Sequence, residues 1–89
     1  MDFDWDAANI DHIAEHGILP ADAEAAAQDP RLLPGTWQIR NEEWRLDIIG
    51  RTGDRVLQVV ITTRDPRVRV VTARVANRKE RRIYRERNQ

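Results

Sequence analysis

The sequence predicts a single α+β domain: a small antiparallel sheet with two N-terminal helices and one C-terminal helix, in the order β-α-α-β-β-β-β-α. Three observations carry that prediction. The first third has helical apolar spacing and an alanine-rich stretch, the segment from Trp44 to Val75 is β-branched between turn dipeptides, and a capped polar segment closes the chain. With 89 residues and no cysteine, the chain builds one modest core over 1–89, without disulfides or thiolate metal sites.

Phe3-Asp4-Trp5 alternates apolar and polar, as a short opening strand does, and Asp6 caps a helix whose apolar positions are Ile10, Ile13 and Ala14. Gly17 ends that helix. Pro20 suits the first turn of a second helix, Ala21 to Gln28, with Asp22 and Glu24 near its positive end and Asp29-Pro30 as its breaker. Arg31 to Gly35 reads as a loop and Thr36 to Arg40 as a brief strand. Trp44 to Gly50 alternates, Thr52-Gly53-Asp54 supplies a turn, and the apolar run Val56 to Ile61 completes a hairpin. Asp65-Pro66 turns the chain into a further strand, Val68 to Val75. Asn77 then caps the last helix, with Glu80 as its capping-box partner and Ile83 and Tyr84 as its buried face.

Net charge is zero, yet the halves are oppositely charged. Residues 1–44 hold ten acids and two bases, a net −8, whereas residues 45–89 hold thirteen bases and five acids, a net +8. Twelve of those thirteen bases are arginine, whose planar fork binds phosphate bidentately, so an anionic partner is one reading and mutual neutralisation of the halves is the other. No apolar run approaches the roughly 20 residues of a membrane span, and the acidic N-terminus is unlike a signal peptide. The expectation is therefore a cytoplasmic protein without membrane contact.

Hairpin arithmetic sorts the arginines. If both turns are tight, Arg51 faces Arg55 across the first turn, and Arg74 faces Leu57 on the neighbouring strand. Arg51, Arg55 and Arg74 then gather at one end of the sheet, with Arg64 and Arg67 about 20 Å away. The last helix begins just after Arg74, which brings Arg78 and Lys79 to the first group. Like charges so close are destabilising unless an anion lies over them. His12 and His16 have i, i+4 spacing, but no third ligand accompanies them, so no metal site is expected. His16, before the Gly17 stop, is either a proton carrier or a capping cation. Tyr84 is either a chemical group or a core cap, and Trp5, Trp37 and Trp44 suit core or partner-interface anchors.

Taken together, Phe3-Asp4-Trp5-Asp6, Asn9 to Ala14 with His16-Gly17, Gly50-Arg51-Thr52, Thr72-Ala73-Arg74 and Ala76 to Tyr84 resemble the BrnT toxins of type II toxin-antitoxin systems. The resemblance implies a RelE-like ribonuclease fold, RNA cleavage without metal or cofactor, and inhibition by a BrnA-like ribbon-helix-helix antitoxin in a 2:2 complex. Operator DNA would be reached only through that antitoxin. It also implies that the basic end of the sheet is the RNA cleft, with the family's two basic positions falling on Arg55 and on Arg74 or Arg78 and its tyrosine on Tyr84. Joined to the arginine grouping above, the expected catalytic set is Arg51, Arg55, Arg74 and Arg78 as phosphate clamps with His16 and Tyr84 as acid and base in either order, and Lys79 joins the four arginines in RNA binding. Glu15 stands where relatives often carry a base, and Leu19 stands where they carry a helix-capping Ser or Thr. Two function classes follow: a metal-independent endoribonuclease that uses the substrate's 2′-hydroxyl as nucleophile, and a non-catalytic basic module that binds a protein or nucleic acid.

Overall fold

A computed structural model describes residues 1–89 as two helices, a five-stranded antiparallel sheet and a closing helix. The elements are α1 (Ala7–Ala14), α2 (Pro20–Ala27), β1 (Leu33–Pro34), β2 (Gln38–Arg40), β3 (Glu43–Thr52), β4 (Arg55–Arg64), β5 (Arg67–Val75) and α3 (Arg78–Arg87). The expected α+β class and element order are those observed. The opening strand is reduced to one parallel bridge, Phe3 to Val68, and the expected loop before Gly35 contains β1, paired to Ile48 and Ile49. The sheet runs β1-β3-β4-β5, with β2 also on β3.

Each helix forms for a local reason. The Asp6 carboxylate accepts the Asn9 N–H at 2.8 Å, and Gly17 ends the α1 segment with a φ of 74°, a conformation costly for residues with a Cβ. Leu19 makes no side-chain cap, so α2 starts on Pro20 alone. Asn77 and Glu80 make both halves of a capping box at α3.

Packing follows from the small residues of α2. Ala23, Ala26 and Ala27 are buried, and with Ile13 and Ile18 they cover Ile48, Leu57, Val59, Ile61, Val70 and Ala73 of the sheet. At the closest approach, a Cβ on Gly50 would stand 2.0 Å from the Ala26 carbonyl oxygen. Only glycine fits beneath the helix there. On the edge hairpin, where Asn41 and Glu42 both have positive φ, Trp37, Ile39 and Trp44 remain 43%, 62% and 55% exposed. They are surface residues, whereas Trp5 is half-buried and donates to Glu24 at 2.7 Å.

The register departs from the expected one by a single residue, for two separable reasons. Thr52 pairs with Arg55, so the first turn is the two-residue Gly53-Asp54, and Arg51 faces Val56 rather than Arg55. The second hairpin closes as expected at Arg64 and Arg67, but a bulge after Val60 shifts the far end, so Arg74 faces Gln58 rather than Leu57. Because side chains alternate, Arg51 and Arg74 share the face that carries α3, whereas Arg55 points to the α2 face.

Gly50→Ala is expected to push a methyl group into the α2 backbone and to lower unfolding free energy by about 1–3 kcal/mol. A urea midpoint equal to wild type would contradict the close approach.

Candidate active site

Of the fourteen arginines, Arg45, Arg55, Arg64, Arg67, Arg69, Arg74 and Arg82 make ion pairs with carboxylates. Most of these pairs join separate segments of the fold. Arg55 meets Asp22 of α2 at 3.1 Å, and Arg69 meets Asp6 at 2.8 Å and Asp4 at 3.5 Å, tying the N-terminal segment to β5. Arg74 binds Glu80 with both guanidinium nitrogens, at 2.8 and 3.0 Å, while Glu80 also accepts the Asn77 N–H at 2.8 Å. That mutual hydrogen bond, opposed by burial, lowers the Glu80 carboxyl and raises the Arg74 guanidinium relative to their ordinary values. Arg74 therefore fastens the start of α3 to β5.

The arginines without such partners include the four that converge. Arg31, Arg51, Arg81 and Arg85 line one cavity of about 500 Å³, together with Asp29, Asp54, Val56, Tyr84 and Asn88. Three segments supply its walls: the α2–β1 connection, the β3–β4 turn and α3. On α3, residues 81, 84, 85 and 88 recur at helical spacing, so one face carries two guanidiniums, the phenol and an amide. Arg51 and Arg81 direct guanidinium N–H groups to the carbonyls of Gly53 and Ala76, each at 2.6 Å, which restrains the side chains without neutralising them.

Asp29 joins the three walls. Its Oδ1 accepts the Arg31 N–H at 2.9 Å, and its Oδ2 accepts the Arg51 N–H at 2.8 Å and the Tyr84 hydroxyl at 2.6 Å. Burial pushes the Asp29 carboxyl up, but these three donors and the Arg31 charge outweigh it and hold the group below its usual value. Burial, reinforced by the hydrogen bond to Asp29 and by its charge, pushes the Tyr84 phenol above its ordinary value. Both shifts favour the same pairing of a neutral phenol with an ionised carboxylate.

The sequence-based set is thus divided. Arg51 and Tyr84 share the cavity, whereas Arg55 and Arg74 are held by Asp22 and Glu80 and do not line it. Arg78 and Lys79 lie exposed on the first turn of α3, outside the cavity wall. His16 is exposed beyond the end of α1, its ring edge-on to His12 with centroids 5.7 Å apart, and lines no cavity. His12 instead meets the Thr72 hydroxyl at 3.1 Å. Sequence reasoning missed Asp29, Arg31, Arg81 and Arg85. The helical spacing of Arg81, Tyr84 and Arg85 was a usable signal, whereas Asp29 read only as a helix breaker.

Arg74→Ala is expected to loosen α3 and to cost about 1 kcal/mol, the figure reduced for a partly exposed ion pair. Amide exchange in α3 should quicken while β3 to β5 stay protected. Because the Glu80 carboxyl is depressed, this stabilisation is present at neutral pH and fades as pH falls through its native pKa, so variant and wild type should converge in acid.

Tyr84 is the only tyrosine, so an ultraviolet phenolate titration reads it alone. Its midpoint should lie above the ordinary value of about 10, and Asp29→Asn should lower it. The raised pKa contributes stability below about pH 10, lost as pH rises through the native value, so the stability difference between wild type and Tyr84→Phe should shrink in strong alkali.

A comparison with curated proteins gives no match. Among protein families, the one described as a ribonuclease toxin, BrnT, of type II toxin-antitoxin systems matches residues 5–80. The matched span includes Asp29, Arg31 and Arg51 of the cavity, while Arg81, Tyr84 and Arg85 follow it. The description implies RNA as substrate and an antitoxin as partner. With an α+β fold in the expected order and most of its length inside the match, the chain belongs to the BrnT family of ribonuclease toxins.

Proposed function

We propose that the chain is an endoribonuclease toxin that cleaves RNA without a metal, using the substrate's own 2′-hydroxyl, at the cavity between α3 and the β3–β4 turn. The observation that carries this reading is the convergence of Arg31, Arg51, Arg81 and Arg85, none paired to a carboxylate, on a cavity that also contains Tyr84. Cleavage by 2′-attack places extra negative charge on a phosphorane-like transition state, and fixed guanidiniums stabilise that charge more than they stabilise the starting diester. Tyr84 supplies the proton-transfer group, and Arg78 and Lys79 extend the basic surface along which the RNA backbone approaches. Arg55 and Arg74 act by holding α2 and α3 in place, and His16 is assigned no step.

The partner in this reading is a BrnA-like ribbon-helix-helix antitoxin in a 2:2 complex, and the reaction takes place in the cytoplasm. The exposed Trp37, Ile39 and Trp44 offer such a partner apolar surface to bury. No helix of the chain is long and apolar enough to cross a membrane.

Purified protein incubated with RNA in excess chelator should yield products with 2′,3′-cyclic phosphate and 5′-hydroxyl ends. Arg51→Ala should reduce the rate about 10²- to 10³-fold, the usual cost of losing a donor to transition-state charge. RNA retention that weakens steeply with salt, without any cleavage, would instead identify a binding module.

A further inference from the structure

Tyr84 has a single phenolic proton, and at 2.6 Å from Asp29 Oδ2 that proton is committed to the carboxylate. The phenolic oxygen is then left with its lone pairs for any other neighbour. Asp29 is well placed to impose this direction. Its Oδ1 makes the local bond to the Arg31 N–H, two residues on, which a turn after a helix requires by itself. Its Oδ2 does something further, accepting from the Arg51 backbone and from Tyr84, 22 and 55 residues away in sequence. The charged groups around the pair are Arg31 from the α2–β1 connection, Arg51 and Asp54 at the β3–β4 turn, and Arg81 and Arg85 from α3.

We infer that Asp29 is a positioning residue for RNA cleavage, holding the Tyr84 proton so that the phenolic oxygen receives the proton of the attacking 2′-hydroxyl. This rests on the cavity being the cleavage site. In the step, the 2′-oxygen bonds to phosphorus as the bond from phosphorus to the 5′-oxygen breaks. The 2′-proton passes to Tyr84 Oη, and the phenolic proton passes to Asp29 Oδ2. The departing 5′-oxygen, facing the guanidiniums, takes a proton from water, and Asp29 returns its proton to solvent. Tyr84 is thereby an acceptor at the nucleophile rather than a donor to the leaving group. Asp29 never touches the RNA.

The test is cleavage of an RNA oligonucleotide with one scissile site by wild type, Asp29→Asn, Tyr84→Phe and the double variant. Asparagine keeps an oxygen acceptor for Tyr84 but has no charge with which to take its proton. The expected result is a fall in kcat of about 10²-fold or more for Asp29→Asn with KM within about twofold, and no further loss in the double variant, because two residues of one relay fail as a unit. Unchanged kcat in Asp29→Asn, or losses that multiply in the double variant, would overturn the inference. If Asp29→Asn does not fold, Tyr84→Phe decides: the acid limb that Asp29 imposes on wild-type kcat should be missing from its residual activity, and a retained limb refutes the relay. If Arg51→Ala and Tyr84→Phe both cleave normally, the cavity is the wrong site and the relay falls with it. If they are impaired while Asp29→Asn is not, only the relay falls.

Discussion

Thr52 and Arg55 close a two-residue turn, and that pairing decides which way every side chain of β3 and β4 points. Because strand residues alternate between faces, the pairing sends Arg51 toward α3 and Arg55 toward α2, although only three residues separate them. The same alternation places Gly50, Ile48, Leu57 and Val59 beneath the helices, where the alanines of α2 leave no room for a Cβ at Gly50. Sliding the pairing by one residue would turn the core face outward, so hydrophobic burial and arginine direction are set together. The bulge after Val60 makes the corresponding adjustment on β5, and through it Arg74 reaches Glu80.

The opposed charges of the two halves have two uses. Asp4, Asp6 and Asp22 from the acidic half meet Arg69 and Arg55 from the basic half, which docks the N-terminal segment and α2 on the sheet. Such partly exposed pairs are individually weak, so they orient elements that apolar burial has already brought together. Four of the bases left over share one cavity. Arg31, Arg51, Arg81 and Arg85 surround a cavity whose principal acid, Asp29, is already engaged by three donors. A cavity lined this way has unpaired guanidiniums along its walls, while its one strongly bound carboxylate is directed at the protein.

The last helix is held mostly by polar contacts at its two ends. Its start is fixed by the Asn77 capping box and the Arg74–Glu80 pair, and its far end by Tyr84 to Asp29 and by Asn88 to the Arg31 carbonyl at 3.3 Å. Tyr84, 7% exposed, is its one buried side chain. The helix that bears the phenol and two of the cavity's arginines is thus positioned by the same Asp29 that joins the other two walls, so one carboxylate anchors all three.

The sequence by itself determined the element order, the helix caps at Asp6 and Asn77, the apolar stretches that become strands and the segregation of charge, because these depend on near neighbours and on periodicity. Two of the residues it named, Arg51 and Tyr84, line the cavity, and the order of its motifs pointed to the BrnT family. Only the tertiary structure decided which arginines stand together. The two-residue turn and the bulge on β5 set that grouping, and both are features of pairing between whole strands with one face buried, which local turn chemistry does not contain. Asp29 is the clearest case: beside Pro30 it reads as the end of a helix, and its bonds to residues 22 and 55 positions away exist only once the chain has closed on itself.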